Sequence, residues 1–566
     1  METASPASPP SWAHGLTMND RELRIFMDGT SATTKLLIPT IIETCDAIPV
    51  ALRTMYDNRV PLGPNTDLWN LMNAVDAATS DPAVLMSNLK ASTAVISIAS
   101  QTLFDLLANV VLSGELFKDW PGWIRCVIKL ITRFIRIPEG ALKTNNPVAT
   151  QFAEDFLRCN ATTSEGMTLS QVLSRLLEQA WEHRHVFSGT NAGTWQSEHL
   201  PGAADSIRTA LLILLGSAIG LDQLKDICNR DFTQLAFLCW FHEHGEHGDY
   251  ADQLLFILNR VAVEAHAQGN NDTLETFFTH HVHIYYPPLK VCQRLRETFL
   301  RAKVLNEDIG AICVLMTYFI RDHKEKVSYI LEASLLQAMC ACLKLPLVET
   351  KAPPNSSTVH VGYFFALRGC LRGIMGVIID VLRDFPFSRG AEVLINECDV
   401  PLLLSWIFRL AAFYEYTPGP DIETHHYALF TNNTFAELAS SPHMRGENNP
   451  LRQRFAQALR REWYPVLKLL RRNTTTLVRE LYIHKAWENL GKAMGLVENI
   501  ERKQFDQRAG KMCSLVVCRY YTILPPNTLR ACGGCGEVKY HSKPCQTEDW
   551  RHGPRGGHKA RCKRVN

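Results

Sequence analysis

The chain has 566 residues, 46% of them hydrophobic and 20% charged, with a formal net charge of +2. That is enough apolar material for one large core or several domains. The near-neutral total makes no global argument for nucleic acid, although residues 501–566 hold 14 Lys/Arg against 5 Asp/Glu, a net of +9.

Residues 1–18 are rich in Pro and Ser and read as a disordered N-terminus. They show neither the basic n-region nor the apolar h-region of a signal peptide. From 19 to 505 the pattern is helical. Leu367, Cys370/Leu371, Ile374, Val377/Ile378 and Val381 recur every three or four residues, with Arg368, Arg372 and Asp380 between them. This is one face of a helix. Asn88–Leu112, Asp205–Ile227, Val327–Leu343 and Leu451–Leu481 follow the same rule. Pro, Gly and Asn punctuate the helices at Asn58–Pro64, Pro138–Pro147, Gly189–Gly202, Lys351–Thr358, Tyr416–Pro420 and Ser440–Pro450. The fold class is therefore mainly α: a long helical body, either an α-solenoid of armadillo or HEAT type or an irregular helical domain. No fixed repeat period is visible. The loop at 351–358 is the expected division if the body has two lobes.

The longest apolar run, Thr209 to Leu221, is too short to span a bilayer and reads as a buried helix. Eleven cysteines scattered through apolar stretches suit buried thiols in a reducing, intracellular compartment. Two histidine-rich stretches invite a metal reading. In His242-Glu-His244-Gly-Glu-His247 the residue four after His242 is Glu246, and Gly245 interrupts a helical face, so a polar loop is the better reading. His280-His281-Val282-His283 reads as a solvated helix end. Neither a phosphate-binding Gly-rich loop nor a Gly-x-Ser-x-Gly elbow is present, and the glycines from Gly362 to Gly376 suit close helix packing. No residue pattern supports catalysis, so a non-enzyme is expected.

The last segment is different. Cys513-x4-Cys518, Cys532-x2-Cys535, His541-x3-Cys545 and His558-x3-Cys562 form four ligand pairs in order. Zinc takes four N or S ligands in a tetrahedron, and short-gap pairs present two at once. Eight ligands suggest two closed sites. The alternative for Cys513 and Cys518 is a pair of core thiols on an apolar strand, which would leave one zinc.

Cys532-Gly-Gly-Cys535, then Tyr540-His541, Cys545-Gln546, Asp549-Trp550 and His558-Lys559-x-x-Cys562, resembles the MYND zinc finger. The resemblance covers about 50 residues within 508–566. Three features depart from the family pattern: His541 stands where the family has Cys, the first pair has a four-residue gap rather than two, and a Gly/Pro-rich stretch before His558 leaves His552 as a rival ligand. Chains of this plan, a helical N-terminal region followed by a C-terminal MYND finger, resemble a class of fungal proteins. The resemblance implies interleaved ligation, with Cys513, Cys518, His541 and Cys545 on one zinc and Cys532, Cys535, His558 and Cys562 on the other. It also implies a protein–protein interaction module that takes proline-containing peptides around Tyr540, Gln546 and Trp550. The competing expectation is a chromatin- or transcription-associated regulator that contacts nucleic acid through the basic tail. Some MYND proteins carry a SET methyltransferase domain, but no Asn-His-Ser-Cys signature occurs here. No membrane partner is expected.

Overall fold

A computed structural model describes residues 101–118, 121–142, 162–187, 203–218, 230–243, 277–301, 324–348, 389–413, 422–441, 449–472, 482–552 and 557–562, with isolated positions between them. The chain divides into two compact units, Met1–Val261 and Ala262–Asn566. The expected disordered N-terminus and the expected lobe division at 351–358 lie outside the described residues.

In the first unit, helices α1 (Gln101–Leu112), α2 (Pro121–Leu142), α3 (Leu169–Glu182), α4 (Ala203–Ala218) and α5 (Arg230–His242) pack around one core. Helix α2 buries Ile124, Val127/Ile128, Ile131 and Ile135, and its main neighbour α4 buries Ile207, Leu211 and Leu214/Leu215. Both sets step by three or four residues, which places them on one stripe of each helix. The apolar run from Thr209 is thus a buried helix as far as Ala218. Helix α3 opens on a capping box in which the Thr168 hydroxyl accepts from the Gln171 N–H and the Gln171 side chain accepts from the Thr168 N–H. Helix α2 runs through Pro138 to Leu142, where the sequence reading placed a loop. Proline there removes the hydrogen bond to the carbonyl four residues back and crowds it, yet the helix carries on for its last turn.

Among the described residues, the second unit opens on a π-helical turn, Phe278–Val282, followed by α6 (Pro288–Arg301), α7 (Lys324–Glu332) and α8 (Leu335–Val348). The sequence reads Val327–Leu343 as one helix, whereas the structure breaks it at Ser334, which has φ +54°. The left-handed residue ends α7 and lets Leu335 start α8 in a new direction. There follow α9 (Arg389–Asn396), α10 (Val400–Phe413), α11 (Ile422–Ser440), α12 (Pro450–Arg472), α13 (Ile483–Ala493) and α14 (Glu498–Ala509). Helix α12 is the spine, with α9, α10, α13 and α14 packed on it. Its face, Phe455, Leu459, Trp463, Val466/Leu467 and Leu470, is buried throughout. Trp463 and Trp487 each donate an indole N–H to the other's carbonyl, at 3.0 and 2.9 Å.

After α14 come two short antiparallel strands, β1 (Arg530–Ala531) and β2 (Lys539–Tyr540), then α15 (Lys543–His552) and α16 (Gly557–Arg561). This segment belongs to the second unit. Among the described residues, no helix is long and apolar enough to cross a membrane.

Candidate metal centres

The eight cysteines and histidines of the tail gather into two clusters. Cys513, Cys518, His541 and Cys545 form one, and Cys532, Cys535, His558 and Cys562 the other; within each, the ligand atoms all lie within 4.8 Å of one another. The strand pair creates the interleaving. Arg530 pairs with Tyr540 and Ala531 with Lys539, so the next residue along each strand, Cys532 or His541, enters a different cluster.

Each pair is set by local backbone. In the loop before β1, the Cys513 N–H donates to the Tyr520 carbonyl at 2.8 Å, and the Cys518 N–H donates to Leu515 at 3.0 Å. The Ser514 N–H donates to the Lys539 carbonyl at 2.8 Å, which ties this loop to β2. The Cys532–Cys535 turn closes with Gly536 N–H on the Cys532 carbonyl at 2.8 Å. Gly536 has φ +68°, a conformation that costs glycine nothing. His558 and Cys562 lie one helical turn apart, with the Cys562 N–H on the His558 carbonyl. His541 and Cys545 share that i, i+4 spacing across the start of α15.

The dimensions suit zinc. Tetrahedral ligands at ordinary zinc bond lengths stand about 3.8 Å apart for two sulfurs and about 3.5 Å for sulfur and nitrogen. The Cys532 and Cys562 sulfurs are 3.9 Å apart. His541 Nδ1 lies 3.3 Å from both the Cys518 and the Cys545 sulfurs, and His558 Nε2 lies 3.4 Å from that of Cys535. All six cysteines are free thiols.

Electrostatics point the same way. In the first cluster the Cys513 thiol is pushed down to about 2, because it accepts hydrogen bonds from Cys518 and Cys545. Cys518 is pushed far up, and Cys545 up to about 12, by their hydrogen bonds to Cys513. Three sulfurs this close share one negative charge when left to themselves, and a divalent cation among them lets all three ionise. In the second cluster Cys532 is pushed down to about 6, chiefly by backbone N–H groups of Cys535 and Gly534. Both clusters can hold Zn2+ in a Cys3His set. Four protein ligands per ion leave no open position for substrate, which is the pattern of a structural site.

The first cluster includes Cys513 and Cys518, which the sequence also allowed to be ordinary core thiols. In the second, His558 stands with the three cysteines. Of the residues expected around a peptide site, Tyr540 is 1% exposed, and its hydroxyl donates to the Asp549 carboxylate at 2.7 Å. Gln546 and Trp550, on α15, are half-buried, and the Trp550 ring lies 5.8 Å from the His558 ring. Of the decoys, His242 ends α5, and His244 to His247 lie outside the described residues. His281 and His283 are half-buried on or beside the π-turn, in neither cluster.

The sequence reading missed the support that comes from the helices. Arg409 on α10 and Glu462 on α12, both buried, reach the 513–522 loop. Their positions in ordinary helical stretches carry no signal that could have marked them.

If His541 is a ligand, His541→Ala should lower bound zinc from two per chain to one, and His541→Cys should keep two. Native mass spectrometry reads the count. Two zincs in His541→Ala would make the ring a bystander.

No protein-family model matches the chain, and no curated protein matches it. Among solved structures, the chain is similar to a crystal structure described as an engineered protein. The match covers 84% of this chain and 99% of that one, at 12% identity and a TM-score of 0.30. A likeness that weak carries no argument.

Proposed function

We propose that residues 508–566 are a MYND-type zinc finger on a helical scaffold, serving as a non-enzymatic, intracellular protein–protein interaction module. The observation that carries this reading is the interleaving of two Cys3His clusters across one strand pair. A finger of this kind offers partners a rigid surface of few residues. The partners proposed are proteins with exposed proline-containing segments, which lose little conformational entropy when they dock on an aromatic surface.

On this reading α15 is the contact face. Gln546 and the ring edge of Trp550 meet the peptide, and buried Tyr540 supports them through Asp549. Exposed Lys559 and the nearby Lys539 and Lys543 favour acidic residues flanking the proline.

The test is a peptide screen against the zinc-loaded chain. Proline-bearing peptides should bind in about the micromolar range or weaker, since one small module buries little area. Gln546→Ala should weaken them roughly 5-fold with zinc content unchanged. If the only ligand recovered is nucleic acid, with affinity falling steeply as salt rises, the basic tail is a phosphate-binding surface and the peptide reading fails.

A further inference from the structure

The first metal cluster is joined to the helices by a buried polar network. Arg409 is fully buried, and its Nη1 donates to the carbonyls of Cys518 at 2.9 Å and Val516 at 3.1 Å. Its Nη2 stands 3.9 Å from the Glu462 carboxylate. Glu462, 1% exposed, accepts from the Ser405 hydroxyl and from the Thr522 hydroxyl, both at 2.6 Å. The Tyr521 ring lies 5.7 Å from the guanidinium carbon. One residue of helix α10, Arg409, and one of α12, Glu462, therefore hold Val516, Cys518 and Thr522, with Ser405 bracing Glu462, and Cys518 is itself a member of the first cluster.

Such a network is not explained by stability alone. Taking an Arg–Glu pair out of water costs several kcal/mol per ion, on the order of what the attraction returns, and apolar replacements often do as well. What the pair does provide is position. Groups beyond the metal ligands that fix ligand orientation change metal affinity by about 10- to 100-fold. A zinc ion with three thiolates and a neutral imidazole also carries a net charge of −1, which complements the guanidinium.

We propose that Arg409 is a positioning residue for the first metal cluster, so that zinc bound there clasps the 513–522 loop to helices α10 and α12. The finger's first site is thereby shared with the helical scaffold. The hydrogen bonds of Arg409 and Glu462 into the metal segment end on 516, 518 and 522, within the loop that carries Cys513 and Cys518 of the first cluster. Linkage makes it reciprocal: the helices hold zinc at that site, and zinc at that site holds the helices.

This inference rests on both clusters binding zinc, so the test begins by counting zinc in the wild-type full chain. Fewer than two ions would refute that starting point and not the role of Arg409. Zinc release from the two-zinc protein is then followed with a chromophoric chelator, and His541→Ala identifies the phase that belongs to the first site. Arg409→Met should release first-site zinc about 10-fold faster or more and leave the second phase unchanged. Arg409→Lys, which keeps a donor and a charge, should restore part of the difference. Should Arg409→Met fail to fold, Thr522→Val removes one strut from the finger side with Arg409 in place, and it should speed the same phase. Hydrogen exchange supplies a second readout: amides of 400–413 and 459–472 should exchange faster in His541→Ala than in wild type. First-site release that is unchanged in folded Arg409→Met, or in Thr522→Val where Arg409→Met does not fold, would overturn the proposal.

Discussion

Removing zinc should unfold residues 508–566 outright, the largest single effect expected in this protein. The buried cluster at the centre of the segment is Cys513, Leu515, Cys518, Cys532, Cys535, Tyr540 and Cys545. Five of the seven belong to the two Cys3His clusters, which leaves Leu515 and Tyr540 as its buried apolar side chains. Two such residues contribute about 1.5–3 kcal/mol each, far less than the cost of ordering the segment. Structural zinc sites supply roughly 10–16 kcal/mol apiece near neutral pH, and that free energy is the folding free energy. The isolated segment should lack dispersed amide resonances without zinc, gain them on titration, and saturate at two ions. Saturation of the full chain at one ion would mean that one cluster is not a site. Dispersed resonances in the metal-free segment would mean that its fold does not need zinc.

Trp463→Ala should destabilise the second unit by about 3–5 kcal/mol, the usual cost of deleting a fully buried indole. Trp463 is 1% exposed and Trp487 fully buried, and the reciprocal hydrogen bonds join the middles of α12 and α13. Losing the Trp463 ring opens a cavity and leaves the Trp487 carbonyl without its indole donor. Gly491 tests the same junction from the other side. A Cβ there would stand 2.0 Å from the Trp463 ring, so Gly491→Ala should also destabilise, through overlap rather than a void. Urea unfolding of the full chain reads both variants. A loss below about 1 kcal/mol for Trp463→Ala would show that α12 and α13 are held together mainly elsewhere.

The helices of the described body are visible in the sequence because burial on one side of a helix imprints a period of three to four residues on the chain. That period marks α4 and α12 plainly. It cannot mark the break at Ser334, because the apolar spacing continues on both sides and only a left-handed backbone residue separates α7 from α8. Nor does it show that α2 runs on through Pro138. Neither a left-handed residue nor a proline carried within a helix alters the spacing of apolar residues, so neither leaves a mark on that period.

The ligand set was legible for a chemical reason. Cys and His in short-gap pairs have few other uses, so the identities and spacing of all eight residues could be read directly, and so could the sense of their interleaving once the likeness to a known finger was drawn. The tertiary structure decided which sulfurs and ring nitrogens lie within 4.8 Å of one another, because that depends on the pairing of β1 with β2. It also decided that Tyr540 is buried against Asp549 rather than exposed. Most of all, it brought Arg409 and Glu462 to a loop more than 50 residues away in sequence. A buried arginine reaching a distant carbonyl follows no period and no motif; it exists only because helices α10 and α12 pack together beside the metal loop.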